Sequence, residues 1–385
     1  MKSFEYHHPG EIIFGNGRIS EVGSVVSRYG QRCLIVSGPR KGALGDLYPI
    51  VGDLLEHGGL RWAHFDGVTP NPTVELVSTG AKLARSFQAD VVLGIGGGSS
   101  LDAAKAIAVE ATHEGSSWDY LFFKRRPSNK TLPVVAVATT SGSGSHATQV
   151  AVVTDTVSRD KSALYDDHLI PRAAIVDPQL MLSVPPPVTA ATGFDVFCHS
   201  FESILNLRSN ALTELFAWEA IRRVINDLPT AVQGGSDLAA RSSLAWADTL
   251  AGISICRAGV VLPHGIAMAV GGMFPTTSHG RALASVYRAC LEFTWDSAVS
   301  RFAALARILD PNLTDVDSSD AAAVCPGLLQ EFLVRIGLTC SLRDFGISKE
   351  DIPALAKQSM MLPDYSNNPK VPIPAEVTEI IAASF

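Results

Sequence analysis

Short apolar runs alternate with helical patterns through the first half of the chain. The runs are rich in β-branched residues, each is followed by a turn, and they cover residues 32–38, 89–95, 132–138, 149–155 and 173–177. Strands that alternate with helices are typical of an α/β layer with a substantially parallel sheet. We therefore predict an α/β domain in this half.

The pattern changes at three consecutive prolines, Pro185 to Pro187. Proline cannot continue a helix or a central strand, so we place a domain boundary there. Beyond it, apolar residues recur at helical spacing and strand-like runs are few; the clearest helical stretches are residues 212–225, 239–253, 280–293 and 300–308. The sequence predicts an α/β domain over residues 1–187 and a mostly helical domain over residues 188–385.

Composition narrows the class of protein. A length of 385 residues leaves room for two domains, and 46% hydrophobic against 18% charged residues indicates a compact globular protein. The net charge of −7 has the wrong sign for a broad face that binds nucleic acid or an anionic membrane. Six scattered cysteines without a C-x-x-C pair indicate reduced thiols in the cytoplasm. Since Pro263 and His264 interrupt the longest apolar window, residues 258–274, we expect no membrane span.

A glycine-rich turn follows the apolar run at residues 89–95. Gly96, Gly97 and Gly98 precede a helical pattern that carries Asp102 and Lys105, and Ser99 or Ser100 is the expected cap of that helix. Three glycines let the backbone approach an anion, and a helix N-terminus supplies N–H groups and a positive dipole end. We interpret this turn as a pyrophosphate site; the alternative is an ordinary tight turn between strand and helix.

A second loop of the same kind follows the run at residues 132–138. Residues 139–145 contain five hydroxyl groups and two glycines, which could donate hydrogen bonds to phosphate or ribose oxygens. Alone, this loop could equally be a solvated turn. Two such loops at the carboxyl edge of one sheet, where ligands bind in open α/β folds, support each other.

Metal-ligand chemistry is concentrated in the second half. Asp195 and His199 are four residues apart on a predicted helix, so both can reach one ion, and Glu202 lies one turn further as an orienting group. His264 and His279 lie in apolar, glycine-rich surroundings. Any one of these histidines alone is more typical of a core or a helix cap. Together, three imidazoles and a carboxylate favour Fe²⁺ or Zn²⁺.

These motifs, taken in order, resemble those of the iron-containing alcohol dehydrogenase family. The resemblance runs from Gly15-Asn16-Gly17 to Asn367-Asn368-Pro369, nearly the full length. It implies an N-terminal dinucleotide-binding α/β domain, a C-terminal helical metal-binding domain and a homo-oligomer, expected to be a dimer. The implied metal ligands, which are also the catalytic residues, are Asp195, His199, His264 and His279. The implied cofactor contacts are Asn71, Gly97, Gly98, Ser99, Asp102, Thr139, Thr140, Ser143 and Lys161.

Three positions depart from the family pattern. His146 follows the second loop where many members carry glutamate, so the charge near the cofactor differs. Met268 stands four residues after His264, where some members carry a histidine proposed as a proton donor, and a thioether cannot exchange a proton. The interval of 15 residues from His264 to His279 is one residue longer than in several members.

The turn after the first apolar run bears on the choice of nicotinamide cofactor. In members that prefer NAD, an aspartate at about the position of Gly38 binds the adenosine ribose and repels a 2′-phosphate. Here Gly38 leaves space, and Arg40 and Lys41 bring two positive charges close to it. The alternative is that both are ordinary solvated loop residues. We expect NADP(H) to be preferred over NAD(H).

The resemblance implies a metal-dependent, NAD(P)H-linked oxidoreductase that interconverts a small alcohol with its aldehyde or ketone. The runner-up is a zinc-dependent polyol dehydrogenase of the glycerol type, a sister family. Dehydroquinate synthase is a more distant relative, and no extra basic residues for a phosphorylated substrate accompany the motifs. A non-catalytic nucleotide-binding protein is disfavoured because all four ligand positions are intact.

Overall fold

The computed structural model describes residues 3–40, 44–121 and 124–385, which fold into two compact units. The α/β unit contains His7–Val184 together with Ser236–Gly252. The helical unit contains the N-terminal residues up to Tyr6, Pro185–Gly235 and Ile253–Phe385. Residues 236–252, which lie beyond the prolines in sequence, therefore pack with the α/β unit.

A six-stranded, fully parallel sheet forms the centre of the α/β unit, in the order β1-β8-β5-β4-β2-β3. Two further strands, β6 and β7, form a separate antiparallel pair. The strands are β1 (Glu11–Phe14), β2 (Arg32–Ser37), β3 (Arg61–Phe65), β4 (Val91–Gly96), β5 (Val134–Ala138), β6 (Val150–Asp155), β7 (Asp160–Tyr165) and β8 (Ala173–Val176). Four of the five predicted strands lie in the sheet. The fifth, at residues 149–155, is confirmed as strand β6, but a tight turn from Asp155 returns the chain and pairs β6 with β7 outside the six-stranded sheet.

Helices cover both faces of the sheet. Alternate residues of β2 point to opposite sides: Leu34 and Val36 pack with α3 and α4, whereas Cys33 and Ile35 pack with α1 and α2. The helices are α1 (Val22–Val26), α2 (Leu47–His57), α3 (Val74–Phe87) and α4 (Gly98–Glu110). The sheet is therefore buried on both faces, as its continuous apolar strands require.

The segment 236–252 adds a further helical piece to this unit. Ala245 packs in the apolar cluster formed by residues from β5, β8 and α4, and Trp246 meets Phe14 edge-on with ring centroids 5.4 Å apart. Arg241 Nη2 donates to the carbonyl oxygen of Val184 at 2.8 Å. These contacts attach the segment firmly to the α/β unit.

In the described segment 124–385, nine α-helices begin at or after Pro186. Pro186 and Pro187 occupy the first turn of α5, where proline is tolerated because that turn needs no N–H donor. The helices are α5 (Pro186–Leu205), α6 (Ala211–Gln233), α7 (Leu238–Ala258), α8 (Leu262–Met273), α9 (His279–Thr294), α10 (Val299–Leu309), α11 (Ser318–Arg335), α12 (Ile352–Ser359) and α13 (Pro374–Ala383). The predicted fold class, a mostly parallel α/β sheet followed by a helical region, is confirmed.

Within the described ranges, no single helix has the length and apolar character needed to cross a membrane. Only α7 and α8 taken together, bent by 101° at the break between them, meet that length and composition. All six cysteines are free thiols.

Candidate functional site

Two of the predicted metal ligands lie on α5, a helix that is buried almost throughout. Asp195 and His199 share one face of it, as their spacing predicts, and each is less than a tenth exposed. Phe194 and Phe197 stack on the same helix with ring centroids 5.7 Å apart. Apolar packing therefore holds α5 in place and keeps the two polar side chains away from water.

Two histidines from later helices join this pair. His264 lies in the first turn of α8, and His279 is the first residue of α9. The Nε2 atoms of His199, His264 and His279 lie 3.7, 3.6 and 3.9 Å from one oxygen, Oδ1 of Asp195. The rings of His199 and His264 stack with centroids 4.7 Å apart. The structure thus brings all four predicted ligands together, and His279 is the most exposed of them.

The geometry of this cluster fits a metal ion. Asp195 Oδ1 and His264 Nε2 are buried and have no hydrogen-bond partner among the residues described, which costs about 1–3 kcal/mol for each atom. Two ligand atoms about 2.1 Å from one tetrahedral ion are about 3.4 Å apart, close to the separations observed here. A nitrogen-rich donor set with one carboxylate suits Fe²⁺ or Zn²⁺.

Glu202, predicted to orient a ligand, contacts His264 directly. Its Oε1 lies 2.7 Å from His264 Nδ1, and its Oε2 accepts a hydrogen bond from Val261 N at 2.9 Å. A carboxylate at Nδ1 holds the ring proton there and leaves Nε2 facing Asp195. Burial lowers the pKa of His264, but the Glu202 and Asp195 carboxylates outweigh it and raise that pKa to about 10. Because a ligating imidazole must be neutral, a bound metal ion would displace the proton on Nε2 and leave the one on Nδ1.

Burial has different outcomes for Asp195, within the cluster, and for Asp364, beside it. Burial acts to raise the pKa of Asp195, but His199 and His279 prevail and hold that pKa below its usual range, so it is a carboxylate. Burial raises the pKa of Asp364 to about 7, with opposing effects from His264 and Glu202. Asp364 follows α12 and lies beside the first turn of α8. Sequence reasoning missed Asp364, because no motif or helical spacing connects it with His264.

The two glycine loops of the α/β unit contact each other. A Cβ on Gly97 would lie 2.9 Å from Thr140 Oγ1, and one on Gly98 would lie 2.7 Å from the Cβ of Ser143. Only glycine allows this approach. The predicted cap of α4 is wrong: Gly97 is the N-cap, no described side chain caps the helix, and Ser99 and Ser100 lie in its first turn. This backbone-lined N-terminus is what anion binding needs.

Asp102 and Lys105 fasten the second loop to α4. Asp102 accepts from Ser145 Oγ at 2.6 Å through Oδ1 and from Val152 N at 3.2 Å through Oδ2. The buried Lys105 ammonium donates to the carbonyl oxygens of Ser145, Thr148 and Val150 at 2.6–2.9 Å. Both oxygens of Asp102, an expected cofactor contact, are thus engaged with the protein. The neighbouring Thr139 is buried and donates its N–H to Gly96 O at 3.0 Å.

The remaining expected cofactor residues lie at two other places. Lys161 on β7 donates to Asn71 Oδ1 at 2.9 Å, and Asn71 has a left-handed backbone with φ of 55°. Gly38 directly follows β2, and among the described residues a Cβ added there would meet only Val68 O, at 3.6 Å. Arg40 Nε lies 3.5 Å from Asp66 Oδ2, and both side chains are about half exposed. Lys41 lies outside the described residues.

Comparison with known proteins gives a consistent picture. Residues 9–178 match the model for iron-containing alcohol dehydrogenase, and residues 189–385 match the C-terminal model of the Fe-containing alcohol dehydrogenase family. A 1,3-propanediol dehydrogenase of Klebsiella pneumoniae is 31% identical over 100% of this chain and 99% of its own length. An NAD-dependent methanol dehydrogenase of Bacillus methanolicus is 31% identical over 97% of both chains. The crystal structure of an alcohol dehydrogenase from an archaeal halo-thermophile of a Red Sea brine pool superposes with a TM-score of 0.95, at 32% identity and full coverage of both chains.

Proposed function

The chain belongs to the iron-containing alcohol dehydrogenase family, and on that premise we propose that it interconverts a small alcohol and its aldehyde or ketone with a bound metal ion and NADP(H). One observation carries this proposal: three imidazole Nε2 atoms lie within 3.9 Å of a single buried carboxylate oxygen, Asp195 Oδ1. The ligands would be Asp195, His199, His264 and His279, with Fe²⁺ expected and Zn²⁺ as the alternative.

Asp195, His199, His264 and His279 would hold a divalent ion, whose Lewis acidity would polarise the substrate oxygen, and the nicotinamide would exchange a hydride with the substrate carbon. The residues of the chain orient the ligands and restrict the path of the substrate proton. Glu202 accepts a hydrogen bond from Nδ1 of His264, so the Nε2 lone pair would be directed at the cluster once metal binding had displaced the Nε2 proton. Met268 has no exchangeable proton, so the hydroxyl proton leaves through water, a cofactor ribose hydroxyl or a more distant group.

Cofactor binding is assigned to the two glycine loops and the residues beside them. Gly97, Gly98 and Ser99 at the start of α4 would bind pyrophosphate through backbone N–H groups, with Thr140 and Ser143 beside them. The contact residues Asn71, Asp102, Thr139 and Lys161 stay part of this proposal.

The preference for NADP(H) is supported by the end of β2. Gly38 brings no carboxylate to the adenosine ribose, and Arg40 is a guanidinium that can bind a 2′-phosphate. The ion pair of Arg40 with Asp66 is half exposed, and such surface pairs contribute about 0–1 kcal/mol, so a phosphate can compete for it. We further propose that the protein is a cytoplasmic homodimer, in line with its six free thiols and the family resemblance.

The direct test is metal analysis of anaerobically purified protein, followed by turnover of a panel of aldehydes with NADPH and with NADH and of a panel of polyols with NADP⁺ and with NAD⁺. We expect about one Fe²⁺ or Zn²⁺ per chain and oxidation of the reduced cofactor by at least one aldehyde. Zinc together with turnover of polyols only would favour the glycerol-type alternative. Absence of turnover with metal bound would contradict the proposal.

Matched histidine variants test the ligand assignment. His264→Ala should lose most of the bound metal and all turnover while keeping cofactor affinity, because the glycine loops lie in the α/β unit. His57→Ala is the control, since His57 is an exposed residue of α2 whose ring bonds the Asp53 carbonyl oxygen of the same helix. Full metal occupancy in His264→Ala would refute the assignment.

A further inference from the structure

The second glycine loop packs backbone against backbone on the part of α7 that belongs to the α/β unit. Gly144 has a left-handed backbone, with φ of 60°, and a Cβ there would lie 2.5 Å from Gly252 Cα. A Cβ on Gly252 would in turn lie 2.7 Å from Gly144 O. Both positions therefore require glycine, and α7 sets how far the end of the loop can move.

Asp248, one turn before Gly252, holds the loop by a hydrogen bond. Its Oδ1 accepts from Gly144 N at 2.8 Å, and its side chain is 2% exposed. A carboxylate acceptor makes a stronger bond than a neutral one, and burial protects it from competing water. The hydrogen bond from Gly144 to Asp248 therefore fixes the position of Gly144, the last glycine of the 139–145 loop.

His146 provides a second attachment to the same helix. Its Nε2 lies 2.9 Å from Thr249 Oγ1, and this hydroxyl donates its only proton to Ala245 O at 3.0 Å. The imidazole must therefore donate from Nε2, which leaves Nδ1 facing Asp248 Oδ2 at 3.8 Å. Burial, with the charges of Lys105 and His8, lowers the pKa of His146 to about 3, so this ring is neutral.

The loop is thus held from two sides. α7 binds Gly144 and His146, while Asp102 and Lys105 of α4 bind Ser145 between them. Ser143, next to Gly144, is the residue that approaches Gly98 in the first turn of α4. A shift at Gly144 would therefore change the spacing between the two loops.

We propose that Asp248 is a positioning residue for the nicotinamide cofactor: it fixes Gly144, and with it the 139–145 loop, against the N-terminus of α4. It acts through the loop and does not itself touch the cofactor. This inference rests on the proposed function, because the two loops are its assigned phosphate site.

The test measures binding of NADPH and NADH by fluorescence titration, together with metal content and steady-state kinetics. Asp248→Ala should weaken cofactor binding about tenfold and raise the cofactor KM in proportion. Its metal content and its kcat at saturating cofactor should match the parent. Asp248→Asn keeps an acceptor oxygen for Gly144 N and should bind the cofactor within about threefold of the parent, which a purely electrostatic role would not allow.

Asp237→Ala is the control on the same helix, because the exposed Asp237 caps the start of α7 by accepting from Ala239 N and Ala240 N. It should lower the melting temperature but leave the cofactor Kd unchanged. Where Asp248→Ala does not fold, Asp248→Ser replaces it, since a serine hydroxyl is too short to reach Gly144, and the same loss of binding is expected.

The outcomes separate the two proposals. A parent protein that binds neither NADPH nor NADH contradicts the proposed function. A parent that binds them, with Asp248→Ala or Asp248→Ser binding equally well, overturns the role of Asp248. The role of Asp248 is also overturned if Asp248→Ala loses bound metal and kcat at saturating cofactor as well as cofactor affinity. Asp248 would then support the whole structure and not the cofactor loop in particular.

Discussion

Replacing Glu202 with glutamine tests whether this residue tunes the metal site, with almost no change of volume. Each oxygen of the Glu202 carboxylate accepts one hydrogen bond: Oε1 from His264 Nδ1 at 2.7 Å and Oε2 from Val261 N at 2.9 Å. Glutamine has a single acceptor oxygen, so its NH₂ group must face one of these two donors. If it faces His264, the ring proton is driven to Nε2, the atom that ligation needs.

Either orientation removes one hydrogen bond in a fully buried place and leaves the other without the charge of the carboxylate. Loss of such an outer partner typically weakens metal affinity about 10- to 100-fold, equivalent to about 1.4–2.7 kcal/mol. We expect Glu202→Gln to fall in this range, because Glu202 is 0% exposed and water cannot replace the lost contact.

The affinity is measured anaerobically by competition with a chromophoric chelator, using Zn²⁺ and then Fe²⁺. Glu110→Gln is the matched control: Glu110 is also buried, its Oε2 accepts from Ser117 N at 2.7 Å, and it lies in the α/β unit. It makes the same chemical change away from the cluster and should leave metal affinity unchanged. Parent-like affinity in Glu202→Gln, or an equal loss in Glu110→Gln, would refute the reasoning.

Three further variants test other parts of the site. Gly38→Asp should lower the ratio of kcat/KM for NADPH to kcat/KM for NADH by about ten- to hundredfold, because a carboxylate repels a 2′-phosphate. An unchanged ratio, or a parent that already prefers NADH, contradicts the expected preference for NADP(H). Met268→Leu should keep turnover close to the parent, whereas inactivity equal to that of a ligand variant would show that Met268 does more than pack. His146→Gln should reduce acid sensitivity. The buried ring stays neutral down to about pH 3, but the unfolded chain takes up a proton near pH ~6.5, so the parent loses stability as pH falls through that window. Between pH 7 and pH 5 the variant should lose about 2 kcal/mol less unfolding free energy, measured by urea denaturation; equal losses would contradict a neutral His146.

Four of the five strands that the sequence predicts are apolar on both faces. β2, β4, β5 and β8 are continuous apolar runs, so they stand out without knowledge of their neighbours. The missed strands carry polar side chains or lie at an edge of the sheet: β3 reads RWAHF, β7 reads DKSALY, and β1, which reads EIIF, is an edge strand. Whether these segments form strands depends on pairing with a neighbouring strand, and the sequence of the segment alone does not show that neighbour.

The site divides in the same way. The spacing of Asp195, His199 and Glu202 on one helix is readable from the sequence, because helical geometry alone brings them together. His264 and His279 lie on separate helices, so their convergence on Asp195 depends on tertiary packing. The residue types alone suggest a shared metal site, and the family resemblance implies that these two histidines complete it. Asp248 gave no signal at all, since its role exists only where α7 meets the loop.

The return of residues 236–252 to the α/β unit has a consequence for the order in which the protein is made. A ribosome releases all eight strands long before it releases Ala245, which closes the apolar cluster beside β5 and β8. By then α5 and α6 have already emerged. A fragment ending at residue 187 would leave that cluster open and the Val184 carbonyl without its Arg241 donor. We therefore expect the nascent α/β unit to need chaperone protection until residues 236–252 have emerged. An isolated α/β unit would have to be made by fusing residues 236–252 to the N-terminal part, because a simple truncation would lack that helix.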